Sequence, residues 1–197
     1  MTPRLAWYVA RAAGITAWGL LATAVIWGLL LSTRVLRGRP TPRWLLDLHR
    51  FLGGLAVVFT GVHLGGLMAD NYLHFGLADL LVPFAAGWRP GAVALGVVGL
   101  WLLAAVEITS LLTRRMPRRW WHAVHLSSYA LFWTATLHAL LAGTDAGRRP
   151  FVIAVDTAAA VVLALTAIRV TVPRPGHRRG PQRRPVPAHP RRPLPTR

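Results

Sequence analysis

The sequence has no cysteine, no lysine, only three methionines and only six acidic residues. Without cysteine there is no disulfide, no thiolate nucleophile, and no thiolate to hold haem, zinc or an iron–sulfur cluster. Metal chemistry therefore falls to histidine, carboxylate or methionine. Every basic residue is arginine, and 23 of them against six acids give a net charge of +17. Such an excess suits nucleic acid, an anionic lipid surface or an acidic partner, and its placement along the chain decides among them. The chain has 197 residues, room for one domain. An apolar content of 54% and a mean hydropathy of +0.43 point away from a soluble domain and toward a membrane protein.

Five apolar stretches stand out, at about 13–33, 44–68, 90–113, 120–142 and 151–172. Each is long enough to cross a hydrocarbon core of ~30 Å as a helix rising ~1.5 Å per residue. No long period-two alternation suggests strands. The expected fold is an all-α integral membrane protein, a five-transmembrane-helix bundle occupying 13–172. The first stretch follows Arg4 and Arg11, which resembles a signal peptide. Its apolar run is too long for one and lacks a clear small-residue cleavage site, so it is read as a retained helix. Four arginines lie between Arg34 and Arg43, four between Arg114 and Arg119, and nine from Arg169 onward. With five helices, these all fall on one side. The other side has Arg4, Arg11, Arg89, Arg148 and Arg149, diluted by Asp70, Asp79 and Asp145. The positive-inside rule then puts residues 1–12 outside and the C-terminus in the cytoplasm, across the cell's inner (plasma) membrane. The tail, 173–197, is rich in proline and arginine and is expected to be disordered, near anionic headgroups. Nucleic acid is not needed to explain the charge. The loop 70–88 is too polar to span but carries Tyr72, Phe75, Leu77, Leu80, Leu81, Val82 and Phe84. It reads as a short interfacial helix closed by Pro83 and Gly87, able to cap the outer ends of the helices.

Eight histidines occur, five of them in two of the apolar stretches: His49 and His63 in the second, His122, His125 and His138 in the fourth. Coordinating groups inside spans are costly and mark functional sites. His49 and His63 are 14 residues apart, ~21 Å of rise with only ~40° of angular offset, so both face roughly one way at two depths. His125 and His138 are 13 apart. Their ideal offset is ~140°, which requires overwinding, a kink or different rotamers to aim both at one neighbour. The two helices run the same way, so His49 meets His125 near the cytoplasm and His63 meets His138 near the outside. Two opposed imidazoles form the axial pair of a b-type haem, and two such haems stacked across the bilayer form an electron path. Gly53, Gly54, Gly61, Gly65 and Gly66, with Ala123, Ser127, Ser128 and Ala130, leave room for a flat macrocycle or serve ordinary helix packing. The competing reading gives these histidines helix–helix hydrogen bonds in a haem-free membrane scaffold. One ion shared by all four is disfavoured by the distance between the levels.

The stretches LHRFLGGLAVVFTGVHLGGL and RRWWHAVHLSSYALFWTATLHALLAGTD resemble the ferric reductase-like transmembrane domain family, over about residues 10–172. That family includes the membrane parts of ferric reductases and NADPH oxidases, and the haem-binding subunit of the bacterial methionine sulfoxide reductase system. Its ligand spacing of 14 on one helix and 13 on the other is met here. The resemblance implies two haem b groups, with iron held by His49 and His125 at one level and by His63 and His138 at the other. Flavin- and nicotinamide-binding modules of the larger members have no counterpart: no GxGxxG unit fits in the tail. The chain is similar to the short, membrane-only bacterial members. The expected role is an electron-transfer (oxidoreductase) subunit without its own flavin domain. It takes electrons from a separate flavoprotein or from quinol and passes them to an extracytoplasmic acceptor protein or a ferric chelate. A quinol-linked subunit of a periplasmic sulfoxide reductase system is the alternative within this class.

Arg50, beside His49 and inside a span, is expected to pair with a haem propionate, or else with Asp47 or Glu107. Arg118 and Arg119 lie at the same level. His122 reads as an interfacial residue with Trp120 and Trp121, or as a contact to the inner haem's propionate. Glu107 is expected to snorkel or to pair with Arg50 or Arg114. His74, Tyr72 and Arg89 are candidates to contact an outer acceptor. Tyr129 and Trp133 read as packing.

Overall fold

The computed structural model describes residues 3–33, 43–70 and 74–171. These residues form helices joined by short turns, with no strand among them. The helices are α1 (Pro3–Ser32), α2 (Arg43–Ala69), α3 (Leu77–Leu81), α4 (Pro90–Leu111), α5 (Arg118–Leu126), α6 (Ser128–Ala142) and α7 (Arg149–Thr171). Four of them, α1, α2, α4 and α7, are long and apolar enough to cross a membrane. The described residues are thus all-helical, and these four helices mark the chain as a membrane protein.

Two boundaries differ from expectation. α1 begins at Pro3, not near residue 13, so the supposed N-terminal segment is helical. Proline suits the first helical turn, where its missing N–H has no partner to lose. Ala6, Ala10 and Ala13 are buried, and the glycine at 66 lets the α2 backbone come up against Ala10. The added turns are held by packing.

The second difference lies in the fourth apolar stretch, which is two helices rather than one. α5 ends at Leu126 and α6 starts at Ser128. At the junction the Ser127 N–H donates to the Val124 carbonyl at 3.0 Å, a tighter turn than the α pattern. The Ser127 hydroxyl donates to the same carbonyl at 2.6 Å. A serine bonding back on its own helix competes with the regular ladder. α6 alone has 15 residues, or ~22 Å, short of a hydrocarbon core of ~30 Å.

α1 packs along α2, and α4 packs along α6. α1 also touches α6 and α7, which joins the two pairs. The main core lies there: Trp18, Ala22, Val25 and Leu29 of α1 meet Phe132 of α6 and Val155, Ala158, Val162 and Leu165 of α7. The Trp18 indole N–H donates to the Thr136 hydroxyl at 3.1 Å inside it, satisfying both groups without water. The expected interfacial helix in the 70–88 loop is five residues long, opened by Asp79 accepting from the Gly76 N–H at 2.8 Å. Phe75, Leu80 and Ala86 fold down onto Val93 and Val97 of α4. Tyr72 and the tail 173–197 lie outside the described residues.

Candidate functional site

The four histidines meet in two pairs. His49 of α2 and His125 of α5 have ring centres 6.0 Å apart, with ring planes at 70°. His63 of α2 and His138 of α6 are 6.5 Å apart, at 77°. The turn at Ser127 lies between His125 and His138 and interrupts the regular helical spacing between them.

α1 and α4 shape both levels. His63 Nδ1 lies 2.7 Å from the Ala10 carbonyl, and His138 Nδ1 lies 2.8 Å from the Ala92 carbonyl. Four residues after each alanine stands a glycine, Gly14 and Gly96. In a helix, side chains tilt back toward the N-terminus, so residue i+4 covers the carbonyl of residue i. Glycine leaves that carbonyl open, and its second lone pair accepts from the imidazole. A Cβ at position 14 would lie 2.8 Å from His63 Nδ1, and one at position 96 would lie 2.7 Å from His138 Cε1. A ring nitrogen that donates to a carbonyl is the protonated one, so in His63 and His138 Nε2 carries the free lone pair.

The other level is built differently. A Cβ at Gly28 would lie 3.1 Å from His49 Cε1, and Gly28 again follows an alanine, Ala24, by four. The Ala24 carbonyl faces the His49 ring, but outside hydrogen-bond geometry, so His49 Nδ1 is buried without a partner. His125 has no glycine cradle. Its ring stacks on Trp121 at 4.9 Å and 20°. His125 Nδ1 and Trp121 Nε1 are also buried and unpaired.

A cavity of about 360 Å³ adjoins the His63–His138 level. Its walls include both imidazoles, Gly14, Gly96, Leu103 and Leu131, and Phe75, Leu80 and Trp88 of the 70–88 loop close one side. Arg11 and Asp145 stand in its lining, joined by two charge-assisted hydrogen bonds, the Nε one at 2.6 Å. Arg148 adds a contact to Asp145 at 3.1 Å. Asp145 lies in the turn after α6, and the Arg11 guanidinium holds its carboxyl below the ordinary range.

No family model, curated protein or solved structure matches this chain. What the site can do is therefore argued from its geometry. Two imidazoles bound through one nitrogen each to a common metal at ~2.0 Å, with ring centres ~1.1 Å behind, have centres ~6 Å apart. Both pairs meet that value. No group of three or more His, Asp or Glu that could hold a metal ion occurs among the described residues. A pair suits a metal that brings its remaining ligands with it, as a macrocycle does. The apolar cavity and the free Nε2 atoms of His63 and His138 fit such a group.

The remaining candidates do not join the two pairs through a hydrogen bond among the described residues. Arg50 is exposed and lies 3.6 Å from Asp47, one turn back on α2. Glu107 faces the gap left by Gly53 and forms no ion pair among the described residues. His122 and His74 are exposed. Arg89 bonds the Leu141 carbonyl and lies over Trp88. Tyr129 and Trp133 pack against the main core. Sequence reasoning missed Gly14, Gly28, Gly96 and the Arg11–Asp145 pair. The signal was available, because Gly14 and Gly28 repeat the 14-residue interval of His49 and His63 on the helix that pairs with α2.

Proposed function

We propose that this chain carries electrons across a membrane through two bis-histidine b-type haems. The observation behind it is the pairing of His49 with His125 and His63 with His138 at the spacing of axial ligands, at two depths of one bundle. In this reading α5 and α6 together make a fifth span, the N-terminus is outside and the C-terminus is in the cytoplasm. His49 and His125 then form the inner level. The ferric reductase-like resemblance in the sequence points the same way, toward a membrane subunit fed by a separate flavoprotein or by quinol. The acceptor is an extracytoplasmic protein or a ferric chelate.

When bound, the haems supply reversible one-electron iron chemistry. The chain does the rest. Carbonyls of Ala10 and Ala92 fix the tautomer and aim of His63 and His138, as groups behind a metal-bound histidine do. Phe75, Leu80 and Trp88, with the other apolar walls of the cavity, would limit water at the outer level. Arg50, beside His49 and 3.6 Å from Asp47, would hold a carboxylate of the inner cofactor.

A dithionite-reduced minus oxidised spectrum with a haem count, on chain expressed with a haem supply, tests this. Two low-spin b haems per chain are expected. His63→Ala should remove one and His125→Ala the other. Folded protein that binds none returns the histidines to helix–helix hydrogen bonding in a scaffold.

A further inference from the structure

Among the described residues α7 has one face with no partner, and that face carries a carboxylate inside the apolar span. Val155, Ala158, Val162 and Leu165 turn inward to the core. Ile153, Asp156, Ala160, Leu163 and Ala167 turn outward and are exposed. Asp156 joins no ion pair among the described residues.

Its depth follows from the length of the helix. Arg149 and Arg169 bound the apolar run, and residues 151–168 rise ~27 Å, just enough for a core of ~30 Å. Placing Asp156 at the water boundary would leave only residues 157–168, ~18 Å, to cross. Asp156 therefore lies ~8 Å inside the N-terminal boundary of the span. An ionisable group at that depth is costly facing acyl chains, and such groups normally turn inward to a partner. Asp156 turns away from its own bundle.

We infer that the Asp156 face of α7 docks a transmembrane helix of another protein that carries a cationic side chain at the same depth. Charge complementarity selects this occupant. A second copy meeting through the same face about a two-fold axis would oppose two Asp156 carboxylates. Ala160 and Ala167, near the same line, allow the partner backbone to approach closely.

The probe is a synthetic leucine–alanine transmembrane peptide with a single arginine ~8 Å from one end of its span, and the same peptide with leucine there. Each is titrated by fluorescence transfer against the labelled full chain in lipid nanodiscs. The arginine peptide should bind the unaltered chain about tenfold or more tighter than the leucine peptide. Asp156→Asn and Asp156→Leu should reduce that preference strongly. Equal binding of the two peptides to the unaltered chain overturns the inference, whatever the variants do. Self-association of the unaltered chain that Asp156→Leu abolishes also overturns it, by giving the face to a second copy.

Discussion

At the His63–His138 level, each Nδ1 has a backbone carbonyl, each ring has a glycine against it, and an ion pair stands in the adjoining cavity. At the His49–His125 level both Nδ1 atoms are buried and unpaired, one ring has a glycine, and the other leans on an indole whose own N–H is unpaired. The donor types and separations are nearly the same. Only the finishing differs. A backbone carbonyl on each Nδ1 fixes both rings of the first level, and the second level lacks that support behind its rings. Equal spacing of ligands does not make two sites equal; the groups behind the ligands decide how firmly each is held.

The sharpest way to break this contrast is to damage the first level. Gly96→Ala would put a methyl 2.7 Å from the His138 ring, displacing the ring and the bond to Ala92. Overpacking of this kind costs about 1–3 kcal/mol. Gly28→Ala meets His49 at 3.1 Å and breaks no hydrogen bond, so its cost should be smaller. Thermal unfolding of the two variants in one detergent measures the difference, and equal losses would remove the distinction between levels.

A middle-sized effect is expected from Asp145→Asn. The carboxyl has a depressed pKa in the folded chain. It therefore contributes stability above the ordinary carboxylate range, ~3.9, that is lost as pH falls through the lower folded value. The variant should melt below the unaltered chain at pH 7, and the two curves should converge in strong acid. Parallel curves down to about pH 2 would show that the Arg11 contact does not carry this stability.

The smallest effect tests the unpaired indole by its sign. Trp121→Phe removes a buried donor that has no acceptor, so stability should hold or rise slightly. Trp18→Phe removes the 3.1 Å bond to Thr136 and should cost about 1 kcal/mol. Losses of the same size in both would mean that Trp121 Nε1 has an acceptor in the membrane-embedded protein.

The long apolar runs made α2, α4 and α7 readable to within about two residues at either end. The pairing of histidines by depth was also legible, because 14 residues is nearly a whole number of turns. The break at Ser127 was visible only as a mismatch of angle, since a serine bonding back to its own helix leaves no signature in hydropathy. The start of α1 was misplaced because Arg4 and Arg11 read as flanking charges, whereas Arg11 reaches a carboxylate 134 residues away. Of the glycines on α2 itself, Gly53 faces Glu107, Gly66 faces the Ala10 backbone, and Gly54, Gly61 and Gly65 face nothing within 4 Å. The glycines that accommodate the rings belong to neighbouring helices, and their only cue is the 14-residue interval of Gly14 and Gly28, which gains meaning once α1 is set beside α2.

That register has a consequence for how the chain can change. The interval between levels is written once in α2, as His49 to His63, and again in α1, as Gly14 to Gly28. A single-residue insertion between either pair would rotate half a helix by ~100° and bring a side chain where a glycine must be. Compensation would need a matching insertion in the other helix and a third between His125 and His138. The stretches between levels can therefore vary by substitution more readily than in length.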